Sequence, residues 1–304
     1  MSEEGVLDPW VAEWLEQNPI PPFEDFTPEL LALARGDFGI PPTHEIAKVT
    51  DREIAGIRVR VYQHDAPPTG VVVYFHGGAF CIGSIGLMDN VARELAHATG
   101  ATVISVDYRL APEHPFPAGL DDCESVTRWA IAHAAELGAA PGRVVVAGES
   151  AGGNVSATVS LRLRGDKTAA LAGQVLMYPV VAGFAERFPS RDEFDGLIIN
   201  TKSPVVGEAY MGGRDLNNDP FVAPLAAESL AGLPPAIVVL GGCDPLRDEG
   251  RLNARRLRDD GIAVEEFCCA GQPHGFLNFG FPAAAGAYER IGTFVRDVCS
   301  PQSS

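Results

Sequence analysis

The stretch Val144-Val145-Val146-Ala147-Gly148-Glu149-Ser150-Ala151-Gly152-Gly153-Asn154 decides how this chain is read. A β-branched run meets a turn of small residues, and Val155, Val159 and Leu163 then follow at helical spacing. Where a buried strand becomes a helix within about two residues, the residue at the bend is forced into a strained backbone conformation, and flanking glycines let the two elements pass closely. Ser150 occupies that bend, with its hydroxyl pushed outward. Just behind it, the unpaired amides and positive dipole end of the following helix favour negative charge beside the hydroxyl. A bare G-x-S-x-G also occurs in ordinary tight turns, so the surroundings must carry the rest of the argument.

Working outward, short runs apolar on both faces mark buried parallel strands: Val71 to Phe75, Ala101 to Val106, Val144 to Ala147, Val175 to Tyr178, Ala236 to Leu240 and Val264 to Cys269. Helical spacing lies between them, at Leu87, Val91 and Leu95, around residues 120 to 137, after Ser150, and around 248 to 260. A last helix carries Tyr288, Ile291, Val295 and Val298 on one face. From Glu45 to His64 the pattern alternates, with Ile57, Val59 and Val61 on one side and Arg58, Arg60 and Tyr62 on the other, which predicts antiparallel strands with one solvated face around a turn at Gly56. The fold class is therefore α/β: a mostly parallel sheet with helices on both sides, entered through an antiparallel edge. Ligands of such sheets sit at the carboxyl ends of the strands.

Two segments stand outside this rhythm. Residues 1 to 43 predict two helices, started by Asp8-Pro9 and Thr27-Pro28, whose Trp10, Val11, Trp14 and Leu15 form an apolar face beside Phe23, Phe26 and Leu30. From composition alone this segment either fills a gap in the core or covers a substrate pocket. Residues 183 to 220, with Phe184, Phe188, Phe194, Tyr210 and Met211 among Gly and Pro, are consistent with a lid.

The strand ending at Phe75 runs into His76-Gly77-Gly78-Ala79-Phe80. Successive glycines let the backbone aim amides at one point, as an oxyanion on an attacked carbonyl requires. Gly77, Gly78 and Ala151 are the expected donors, and His76 is read as holding the loop. Of the seven histidines, His274 alone follows the last predicted strand, in Gln272-Pro273-His274-Gly275-Phe276, and is the candidate base for Ser150. A carboxylate to orient it is expected after the preceding strand, in Gly241-Gly242-Cys243-Asp244-Pro245-Leu246-Arg247-Asp248. Asp244 is preferred; Asp248 is placed to cap a helix instead.

Three blocks then carry a resemblance: His76 to Phe80, Asp107-Tyr108-Arg109-Leu110-Ala111-Pro112-Glu113-His114-Pro115-Phe116-Pro117-Ala118, and Gly148 to Asn154. Over about residues 45 to 298 the chain resembles the hormone-sensitive-lipase-like group of α/β-hydrolase carboxylesterases. The resemblance implies a helical cap built from residues 1–43 and 183–220, over a core made of 44–182 and 221–304. It implies hydrolysis of short to medium acyl esters by Ser150, His274 and Asp244; the aromatic residues Phe80, Trp14, Phe184, Tyr210 and Phe276 are the candidate substrate contacts. It is also compatible with a homodimer through Val264 to Cys269. Two departures are visible: Ala79 replaces a third glycine while keeping its amide, and Glu149 stands where aspartate is commoner. Asp107, Arg109 and Glu113 are read as a mutually satisfied structural loop.

Charge and motifs narrow the remaining classes. A net charge of -17 repels phosphate backbones and anionic bilayers, so nucleic acid is not an expected partner; neutral small molecules remain open, and the resemblance implies a small-molecule ester. There is no phosphate-binding or dinucleotide motif and no metal-ligand spacing, so neither cofactor nor metal is expected. The six cysteines lack paired spacing and are expected reduced. No apolar run spans a membrane, and the acidic N-terminus is unlike a signal peptide, so a cytoplasmic protein is expected. The sequon at Asn154 is discounted because it falls inside the helix after Ser150. An amidase or transacylase with the same triad, and a non-catalytic receptor on the same scaffold, are the alternatives.

Overall fold

The computed structural model describes residues 4–19, 27–36 and 40–300. In chain order the elements are α1 (Pro9–Gln17), α2 (Pro28–Ala34), β1 (Lys48–Ile54), β2 (Ile57–Gln63), β3 (Val71–Phe75), α3 (Asp89–Thr99), β4 (Thr102–Val106), α4 (Ala118–Ala132), β5 (Val144–Glu149), α5 (Ala151–Leu163), β6 (Gly173–Met177), α6 (Pro189–Glu193), α7 (Val205–Met211), β7 (Ala236–Cys243), α8 (Arg247–Asp259), β8 (Val264–Pro273) and α9 (Ala284–Cys299). The strands form one eight-stranded sheet in the order β1-β2-β4-β3-β5-β6-β7-β8. β1 and β2 pair antiparallel, as does β2 with β4, and every later pairing is parallel. From β3 the chain steps out to β4 and then returns across β3 to β5, so the winding reverses at β3 and β5, where such sheets open a crevice at their carboxyl ends.

Why the β3 run is apolar throughout is visible in its packing. Val72 and Tyr74 join the cluster beneath α3 and α9, while Val71, Val73 and Phe75 join the one beneath α4 and α5; all five are wholly buried. The antiparallel edge corrects one expectation. Ile57, Val59 and Val61 face the core as predicted, but Tyr62, on the face expected to be solvated, is fully buried under α3, with its hydroxyl donating to Asp89 at 2.7 Å.

The predicted helix starts of the N-terminal segment are present: Asp8 accepts the Trp10 amide and Thr27 the Leu30 amide. Val11 is buried, and Trp14 packs on Phe279 and Phe281 with centroids 5.3 and 5.1 Å away. Leu30 is largely exposed, and Phe23 and Phe26 lie outside the described residues. Arg35, just past α2, donates to the carbonyls of Cys81 and Ala111 and pairs with Glu113, clamping this segment to the loop after β3. Contrary to expectation, Asp248 does not cap α8: it lies in the first turn and accepts the Ser190 amide at 3.0 Å, joining α8 to α6. Among the described residues no helix is long and apolar enough to cross a membrane.

Candidate active site

Ser150 sits between β5 and α5 at φ +56°, a conformation costly for a residue with a Cβ. Its neighbours explain how the turn closes: a Cβ on Gly148 would run into the Gly152 carbonyl, and one on Gly152 into the Phe75 carbonyl. β7 and β8 overrun their predicted ends by a few residues and so carry two more groups to the same rim. His274 Nε2 lies 2.9 Å from Ser150 Oγ, and His274 Nδ1 lies 2.9 Å from Asp244 Oδ2. Asp244 is fully buried, and its other oxygen accepts the Leu246 amide at 2.8 Å, which fixes the carboxylate plane. Since that carboxylate can only accept, Nδ1 carries the proton and Nε2 is left to accept from the serine. Burial alone would push the His274 imidazole down, but Asp244, by charge and hydrogen bond, holds it above its ordinary value.

The loop after β3 corrects one expected donor. The Gly77 amide is not free, because it donates to the Glu149 carboxylate; a Cβ there would collide with that carboxylate. The amides of Gly78, Ala79 and Ala151 have no protein acceptor among the described residues, and Gly78 and Ala79 line the cavity above Ser150. The turn has three successive positive φ angles, +110° at Gly78, where glycine takes it without strain, and +54° and +62° at Ala79 and Phe80, where it is strained. It is held from several sides: by Glu149 at Gly77, by the Tyr108 hydroxyl on the His76 carbonyl at 2.7 Å, and by Arg35 at Cys81. His76 is buried and stacked on Tyr108, with burial pushing its imidazole below its ordinary value.

Glu149 is the group that sequence reasoning registered only as a departure. It is 1% exposed, beside Ser150, and also accepts from the Tyr74 hydroxyl at 3.3 Å. Burial pushes its carboxyl up to about 7, against the opposing pull of the Gly77 amide and His274. The longer reach of glutamate past β5 was the available signal.

The cavity over Ser150 has a volume of about 280 Å³. Phe80 and Phe184 line it, as expected; Trp14, Tyr210 and Phe276 do not. Trp14 is spent on Phe279 and Phe281, Tyr210 is stacked on Phe80, and Phe276 is fully buried against Tyr178. Residues 183–220 contribute Ile198, Ile199, Asn200 and Val206, missed because no period marks them. Arg191, also on the wall, pairs with the fully buried Glu249 of α8, which in turn accepts the Val181 and Ala182 amides. Among the described residues no cluster of histidine, cysteine and carboxylate is placed to hold a metal ion.

A family model described as the alpha/beta hydrolase fold matches residues 72–278, spanning β3 through the loop that bears His274. The chain belongs to the α/β-hydrolase fold family. Within it, the chain is similar to the esterase LipI of Mycobacterium tuberculosis, with 36% identity over 95% of this chain and 94% of that protein. An arylesterase of Saccharolobus solfataricus is 37% identical over 89% of this chain and 88% of its own. Among solved structures, an esterase of Pyrobaculum calidifontis superposes with a TM-score of 0.86 at 32% identity, covering 97% of this chain and 100% of that one. The likeness to the hormone-sensitive-lipase-like carboxylesterases stated from three short blocks thus extends over nearly the whole α/β-hydrolase chain.

Proposed function

We propose that this α/β-hydrolase is a carboxylic ester hydrolase working through an acyl-enzyme on Ser150. The observation that carries the reading is the hydrogen-bonded chain Ser150, His274, Asp244 at the mouth of a mostly apolar cavity, and the names of the relatives agree with it. Ser150 Oγ attacks the ester carbonyl carbon as His274 Nε2 takes its proton, and Asp244 stabilises the imidazolium. Charge collects on the former carbonyl oxygen, for which the amides of Gly78, Ala79 and Ala151 are the donors; each is typically worth ~3 kcal/mol of barrier. The intermediate collapses, the alkoxide leaves with the proton from Nε2, and water repeats the sequence to release the acid.

A volume near 280 Å³ suits short to medium acyl chains. In this reading residues 1–43 and 183–220 form the cap, and the outer strand, Val264 to Cys269, is the surface for a homodimer. The test is labelling with diethyl p-nitrophenyl phosphate followed by peptide mapping, alongside turnover of p-nitrophenyl butyrate and of the matching anilide. Label on Ser150, with ester hydrolysis lost in Ser150→Ala, supports the reading. Label elsewhere, undiminished turnover in that variant, or faster cleavage of the anilide overturns it.

A further inference from the structure

Phe80 lines two spaces. One is the cavity over Ser150; the other is a second void whose lining also includes Tyr108, Ala111, Leu120, Val155 and Tyr210. That void holds about 10 Å³, the room of one water at most, and it is also lined by Arg109 and His114, both exposed to solvent. The partition is built of packed aromatic rings. Phe80 stacks on Tyr210 with centroids 3.7 Å apart and planes 14° from parallel, Phe184 meets both rings edge-on, and Phe116 meets Tyr210 edge-on. The ring is held in place by its backbone as well: the residue sits at φ +62°, and its carbonyl accepts the Ala111 amide at 3.0 Å. A bulky residue in the left-handed region is rare, and here it follows directly on the amides assigned to the ester oxygen.

We propose that Phe80, backed by Tyr210, is the wall that limits the length of the ester chain, and that removing its ring would join the substrate cavity to the small void on its far side. The inference rests on the ester-hydrolase reading above for the identity of the ligand, but not for the existence of the wall. Phe80 shares the cavity wall with Gly78 and Ala79, whose amides are assigned to the ester oxygen. A longer chain must therefore leave its last methylenes in water or displace a buried aromatic pair. With the ring removed, the chain runs on toward Leu120 and Val155. Each methylene newly buried there favours the longer substrate about fourfold, so two give ~15-fold.

The experiment compares wild type, Phe80→Ala and the milder Phe80→Leu on two ester series: p-nitrophenyl esters of growing acyl chain, and acetates of growing alcohol chain. In one of the two series the C8 to C4 ratio of kcat/KM rises at least tenfold in Phe80→Ala and by less in Phe80→Leu. Adding Val155→Phe, which refills the void, reverses the gain. Octanoate and butyrate binding by calorimetry reads the same wall without turnover, so an absence of ester hydrolysis would sink the functional reading while leaving this inference judged on binding. If neither ester series nor octanoate affinity changes in either variant, or if Val155→Phe leaves the gain intact, Phe80 is not the wall.

Discussion

Replacing Glu149 by glutamine removes a buried charge at nearly constant shape, and the consequence for stability can be worked through. The carboxyl has an ordinary value of 4.5 and is pushed to about 7 in the fold, because burial outweighs the hydrogen bonds from Gly77 and Tyr74. Between those two values the folded chain keeps a proton that the unfolded chain has lost, so stability falls as pH rises. At 1.36 kcal/mol per pH unit, the rise from 4.5 to about 7 amounts to about 3 kcal/mol, most of it incurred between pH 5 and pH 8. Glutamine carries no such penalty and can still accept the Gly77 amide. The melting temperature of Glu149→Gln minus that of wild type should therefore grow with pH, by roughly 5 °C from pH 5 to pH 8.5 for a chain of this size. Taking the difference cancels the titrating groups that do not interact with Glu149, which leaves His274 as the one coupled group to be tracked beside it. Parallel melting curves across that range, or a difference that shrinks with pH, would refute the reasoning.

Three further outcomes follow from the same geometry. Asp244→Asn should lower kcat by about 10⁴ by favouring the wrong imidazole tautomer, whereas Asp248→Asn, whose partners are Ser190 and Arg247, should leave kcat within a few-fold; steady-state kinetics on one short ester compares them. Because Asp244 holds His274 above its ordinary 6.5, the base is protonated and lost as pH falls, so kcat/KM should drop on the acid side with a midpoint above 6.5, and a midpoint well below 6 would contradict this. Arg191→Met should cost about 3–5 kcal/mol by stranding the Glu249 carboxylate, as measured by denaturation, and Glu249→Gln in the same chain should restore much of it.

Much of the site was legible because its signals are local. The strained turn at Ser150 needs glycine within two residues on either side, and the order of serine, aspartate and histidine follows the strand order. Distance along the chain obscured other parts. That the Gly77 amide is taken depends on a carboxylate 72 residues away, and this shifts the free donors along the loop to Gly78 and Ala79. Aromatic content suggested pocket walls at Trp14, Tyr210 and Phe276, yet aromatic rings fill cores as readily as they line cavities, and only packing separates the two.

By itself, then, the sequence determined the alternation of strand and helix, the bend that exposes one hydroxyl, and the residue types able to act on it, because these rest on periodicity and steric rules spanning a few residues. Tertiary structure decided which amides stay unpaired, which rings face the cavity, and how far a carboxyl is driven from its ordinary value. Each of those depends on what a group meets across the fold, and contacts between distant segments are set only when the whole sheet and its helices close together.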